Sequence, residues 1–122
     1  MVDIEQSVAN KSYALALRII KAYIYLRDEK RVFVLSKQLL RSGTSIGAQI
    51  REAKFAQSRA DFISKLSISL KEANETLYWL ELLHDSGFLE DSAFDSIYND
   101  AKEVTAMLVS IVKTSKTNDS LN

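Results

Sequence analysis

The sequence has no cysteine and no proline, and it has only one histidine and three glycines. Without cysteine there is no disulfide, no thiolate nucleophile and no cysteine metal site, a pattern that fits a reducing cytoplasm. Proline breaks helix interiors, and average usage would place about six in a chain of this length. Its absence therefore points to long helices. A single histidine leaves no histidine- or cysteine-based nucleophile–base pair. The longest uncharged runs, residues 42–50 and 104–112, are nine residues each, half of the roughly 18 that a membrane span needs. The start of the chain, Met1-Val2-Asp3-Ile4-Glu5, is acidic and lacks the apolar core of a signal peptide. A cytoplasmic protein with no membrane association is expected.

What the chain does contain is ordinary for a globular protein. Its 122 residues are 47% hydrophobic and 26% charged, enough for one domain over residues 1–122 with a sizeable core. Apolar residues recur at steps of three and four, the helical period, and the pattern predicts helices over about 10–27, 32–57, 59–86 and 91–114. Asn10 is the expected N-cap of the first helix. Ser58-Arg59-Ala60-Asp61 reads as a capping box opening the third, and Gly87 as its C-terminal stop. Short turns between long helices force antiparallel neighbours, so the expected fold is all-α, an up-down-up-down four-helix bundle. Gly43 and Gly47 interrupt the second helix one turn apart. An interior glycine costs about 1 kcal/mol against alanine, so both are expected to serve close packing. The polar tail over 115–122 is expected to fray.

Two of the four helices carry apolar residues on two sides. In the first, Tyr13, Leu17, Ile20 and Ile24 form one row and Leu15, Ile19, Ala22 and Leu26 another, nearly opposite. A bundle buries one face of each helix, and a long exposed apolar stripe is rare on a monomer. Leu15, Ile19, Leu26, Ile68, Trp79 and Leu82 are therefore expected at an oligomer interface. Arg41 shares a polar face of the second helix and could pair with Glu72 or Glu75, across a helix contact or a subunit contact.

Net charge is zero but unevenly spread. Residues 1–60 hold eleven Lys/Arg and five Asp/Glu, and residues 61–122 hold five and eleven, so the halves carry +6 and −6. Two readings stand open. A basic half can pack beside an acidic half, within or between subunits, or it can form a face for nucleic acid. Lys30, Arg31, Lys37, Arg51, Lys54 and Arg59 are the candidate nucleic-acid residues, with Tyr23, Tyr25, Phe33 and Phe55 near them. Other chemical signals are thin. Glu81 and His84 match one half of a di-iron bundle motif but lack the remaining ligands. Residues 41–47 suggest a phosphate loop, without its Gly-Lys-Ser/Thr ending or a preceding strand. No metal, cofactor or catalytic residue is expected.

Residues 37–53, KQLLRSGTSIGAQIREA, resemble the proteins encoded within bacterial 23S rRNA intervening sequences, sometimes labelled S23 ribosomal proteins. Residues 62–76, FISKLSISLKEANET, with Tyr78-Trp79-Leu80, look like that family's third helix, and residues 107–113, MLVSIVK, like its closing segment. The resemblance runs from about Ser12 to Thr114. It implies a four-helix bundle assembled as a ring-like homopentamer, with no known catalysis. The family is similar to accessory proteins of diversity-generating retroelements, which bind nucleic acid and a reverse transcriptase. Those are markedly basic, whereas this chain is neutral. Gln49 stands where the family commonly has asparagine. The function expected is a non-enzymatic homo-oligomeric scaffold associated with RNA or a nucleic-acid-processing protein. The alternative is a protein-interaction scaffold with no nucleic-acid role.

Overall fold

The computed structural model describes residues 3–121. Met1 and Val2 of the acidic start, and Asn122 of the expected tail, lie outside them. Four helices follow in order: α1 (Ile4–Asp28), α2 (Val34–Lys54), α3 (Arg59–Asp85) and α4 (Asp91–Leu121). Among the described residues there is no strand.

Four helix ends differ from the pattern-based expectation. α1 begins six residues before Asn10, because Asp3 is the N-cap and its carboxylate accepts from the Gln6 N–H at 2.7 Å. Asn10 sits inside the helix and accepts from the Gln6 side chain at 2.9 Å. α2 is shorter than expected at both ends and starts without a side-chain cap. α4 continues as helix through the segment expected to fray, with Ser115 buried.

The other signals operate as read. Ser58 Oγ accepts from the Asp61 N–H at 3.0 Å, and the Asp61 carboxylate reaches back to the Gln57 N–H at 3.2 Å. At the far end of α3, Gly87 adopts φ +86. Its N–H bonds the His84 carbonyl and that of Phe88 bonds the Leu83 carbonyl, both at 2.9 Å, closing the helix as a Schellman motif. The α1–α2 turn has no glycine. There Arg31 takes the left-handed conformation, φ 57, and the Val32 N–H closes on the Leu26 carbonyl at 2.9 Å.

Each helix packs against two neighbours, α1 on α2 and α4, and α3 on α2 and α4. Contacting residues run in opposite order in each adjacent pair. Lys11 meets Glu103 and Arg18 meets Asp100. Lys54 meets Gln6, and Gly43 faces Ile19. Ser69 Oγ donates to the Ile46 carbonyl at 2.8 Å, and Thr76 Oγ1 lies 3.0 Å from Ser42 Oγ. The result is a four-helix bundle with antiparallel neighbours.

The core runs its full length and is built from Leu15, Ile19, Leu26, Leu39, Ile46, Leu80, Leu83 and Leu108, all below 2% exposed. Each such side chain contributes about 1.5–3 kcal/mol on burial. Small residues bring α1, α2 and α3 close together. Ser12, Ser36, Ser42, Ser69 and Thr76 are fully buried, and all five hydroxyls are hydrogen-bonded.

Candidate functional site

α1 has two apolar sides, and their roles are the reverse of the expected ones. Leu15, Ile19 and Leu26 belong to the chain's own core, not to a subunit contact. The outward row is Tyr13, Leu17, Ile20 and Ile24, between 38% and 60% exposed. The cause lies on α2. Gly43 and Gly47 form the floor on which α1 rests, and they meet Ile19 and Ser12. Residues 8, 12, 15, 19 and 26, all buried, therefore make one seam against the bundle.

The other expected interface residues divide. Trp79 packs against the core, and its Nε1 is enclosed without a hydrogen-bond partner. Leu82 is half-buried and Ile68 is exposed. Arg41 does pair with both glutamates, within one chain. Its Nη2 lies 2.8 Å from Glu75 Oε1 and its Nη1 3.2 Å from Glu72 Oε2, so α2 is clamped to α3. At this exposure each pair contributes at most about 1 kcal/mol.

Between α1 and α2 the outer row borders an open groove of about 840 Å³. Tyr13, Leu17 and Ile20 form one wall. Ala16, Gly47 and Ala48 form the floor, and Arg51, Glu52 and Lys54 the rim. Sequence reasoning listed this row but sent it to the core. The signal that would have placed it correctly is Val8 and Ser12, which extend the opposite row by two turns.

The basic residues do not form a single patch. Lys30 and Arg31 occupy the α1–α2 turn and Lys37 the start of α2, while Arg51, Lys54 and Arg59 gather at the α2–α3 corner. Lys37 and Arg51 are fourteen positions apart on one helix, about 21 Å at 1.5 Å per residue. None of the six has a carboxylate within ion-pair distance among the described residues. Arg31 lies over the Phe33 ring and Arg59 over the Phe62 ring, at 5.5 and 5.6 Å. By contrast, Lys11 and Arg18 on α1 are tied to acids of α4. The basic and acidic halves thus neutralise one another partly inside the subunit.

His84 holds the α3–α4 corner. Its Nε2 lies 2.7 Å from Asp91 Oδ1 and its Nδ1 3.2 Å from Asp85 Oδ1. Its ring stacks on Phe94 at 4.2 Å, and Phe94 stacks on Tyr98 at 4.8 Å. The hydrogen bond to Asp91, more than the one to Asp85, raises the histidine above its ordinary pKa, against a smaller opposing effect of burial. Burial, then the bond to Glu81, raises the Tyr98 hydroxyl. Glu81 thus faces Tyr98 rather than sharing a ligand site with His84. Among the described residues no three His, Cys, Asp or Glu side chains are placed to hold a metal, and no helix is long and apolar enough to cross a membrane.

Comparison with known proteins agrees with this architecture. No curated protein matches the chain. It is similar to a crystal structure at 1.70 Å of a protein of unknown function from the S23 ribosomal protein family of Bacteroides thetaiotaomicron VPI-5482. The TM-score is 0.89 at 54% identity, over 91% of this chain and 99% of that one. The family model described as 23S rRNA-intervening sequence protein matches residues 5–110. With nearly the whole bundle inside that match, the chain belongs to the family of 23S rRNA-intervening sequence proteins.

Proposed function

We propose that this protein is a non-catalytic helical scaffold that assembles with copies of itself and associates with RNA or a ribonucleoprotein. The observation that carries the reading is the outward row Tyr13, Leu17, Ile20 and Ile24, continuous with the α1–α2 groove. A stripe of that length is what a soluble monomer avoids and a subunit interface uses. Charge supports a head-to-tail arrangement, because the half of the chain holding the groove carries +6 and the other half −6. A heterologous contact closes into a ring where its rotation permits and otherwise propagates as a filament; a ring of five copies is the assembly proposed. The family's description ties it to the 23S rRNA intervening sequence, and the cations without acidic partners on α2 and its two corners support RNA as the partner.

The test is binding of the purified protein to a fluorescent 23S rRNA stem-loop across a salt series. Affinity should fall steeply with salt as phosphate contacts release counterions. Charge reversal at Arg51 and Lys54 should flatten that slope. Absence of binding at the lowest salt would contradict the RNA reading. It would favour the second one, a protein-interaction scaffold, to which the zero net charge and the internal pairing of Lys11, Arg18 and Arg41 already lend support.

A further inference from the structure

The α2–α3 corner carries the most exposed large apolar side chain among the described residues. Phe55 is 79% exposed and ends α2 as its C-cap. Burial does not account for it. A single exposed apolar side chain is ordinary on a protein surface, so its surroundings decide whether anything stacks on it. The neighbouring residues suggest what does. Arg51 and Lys54 precede it in the last turn of α2, and Arg59 follows in the first turn of α3. All three are without a carboxylate partner among the described residues; the one side-chain hydrogen bond they make is from Lys54 Nζ to Gln6 Oε1, at 3.4 Å. Of the acids nearby, two hold helix-end N–H groups: Asp3 caps α1, and Asp61 accepts from the Gln57 N–H. Beside the corner opens a cleft of about 490 Å³, bordered by Lys54, Ser58, Arg59 and Phe62. Glu5 borders the same cleft, and Glu52 stands beside Arg51.

The α1–α2 corner differs. Phe33 is also exposed, but its ring already carries the Arg31 guanidinium. Asp28 and Glu29 directly precede the cations there. At the α2–α3 corner the Arg59 guanidinium lies over Phe62, and no cation lies over the Phe55 ring among the described residues.

We infer that this corner binds single-stranded RNA, with one unpaired base stacked on Phe55 and the flanking phosphates held by Arg51, Lys54 and Arg59. An aromatic face accepts any base and cations track the backbone, so recognition would favour unpaired RNA over duplex without a sequence code. The inference rests on the RNA reading above and specifies which RNA and which residues.

The test is fluorescence anisotropy of the full chain with a labelled ten-nucleotide RNA, single-stranded or as a blunt duplex, over a salt series. Wild type should bind the single strand more tightly. Phe55→Leu should weaken that binding by about 5- to 150-fold, the loss of one base stack, and leave the duplex and the salt slope unchanged. Lys54→Gln should lower the salt slope by about one contact. Phe33→Leu should bind like wild type. Equal binding by Phe55→Leu and wild type, or a preference of wild type for duplex, would overturn the corner assignment and leave the RNA reading intact. Failure of wild type to bind either RNA at low salt would remove both.

Discussion

Gly43 faces Ile19 with no room between them: a Cβ on Gly43 would stand 2.7 Å from Ile19 Cγ2 and 2.8 Å from Cγ1. Both positions are buried, so the Ile19 side chain cannot swing into solvent. This contact sets how closely α1 lies on α2, and through it which side of α1 faces the core.

Gly43→Ala should therefore destabilise the subunit. Overpacking costs about 1–3 kcal/mol, and the helix-propensity gain of about 1 kcal/mol returns only part of it. Gly47→Ala should behave differently, since its Cβ would meet the Ser12 hydroxyl at 3.3 Å and ordinary distances otherwise. There the propensity gain should cancel or exceed the strain. Urea unfolding of the two variants checks the contrast. In the double variant with Ile19→Ala, Gly43→Ala should cost less than it does alone.

The two rows of α1 should separate stability from association. Leu15→Ala removes a fully buried side chain and should cost about 2–5 kcal/mol in unfolding free energy. Leu17→Ala, at 48% exposure, should leave subunit unfolding within about 0.5 kcal/mol of wild type when measured at dilutions where copies dissociate. A large loss at Leu17 under those conditions would mean that it packs within the subunit.

Arg31 is the one described residue other than glycine in the left-handed region. For a residue with a Cβ that conformation costs roughly 1–2 kcal/mol, and glycine escapes it at some entropic cost in the unfolded chain. Arg31→Gly should raise stability by up to about 1 kcal/mol, despite losing the guanidinium over Phe33. Thermal melts at matched ionic strength would show it. A lowered melting temperature would mean that the Arg31–Phe33 contact outweighs the backbone strain.

The α3–α4 corner should respond to pH with a definite sign. The folded protein raises the His84 pKa, chiefly through Asp91 and less through Asp85. Stabilisation by the charged ring is then fully present below the unfolded value near 6.5. It is lost as pH rises through the higher folded value. Asp91→Asn should lower stability at pH 6 and lose that effect by pH 9. A penalty that is constant over this range would show that the Asp91 contact does not depend on imidazolium charge.

How much of this was legible in the sequence depends on which forces decide each feature. Helix number and type follow from periodicity and the missing prolines, and the α3 ends follow from Ser58, Asp61 and Gly87, which act locally. The start of α1 is equally local, because Asp3 and Gln6 have capping-box spacing ahead of Asn10. The choice between the two apolar rows of α1 is not local. Both have the same steps, and only the shape of α2 at Gly43 and Gly47 selects one. The pairing of Arg41 with Glu72 and Glu75 could be read from the register of two antiparallel helices. The separation of the basic residues could not be read from their counts, since it depends on which end of the bundle each turn occupies.

The central claim is that the outer row of α1 is a subunit interface. Light scattering during gel filtration tests it most directly, comparing wild type with the Leu17→Glu, Ile20→Glu double variant and checking that both keep the same helical content. The wild-type mass should be several times the 13.8 kDa of the chain, close to fivefold for the proposed ring, and the variant should be a folded monomer. A wild-type mass of one chain, or a variant that assembles like wild type, would contradict it.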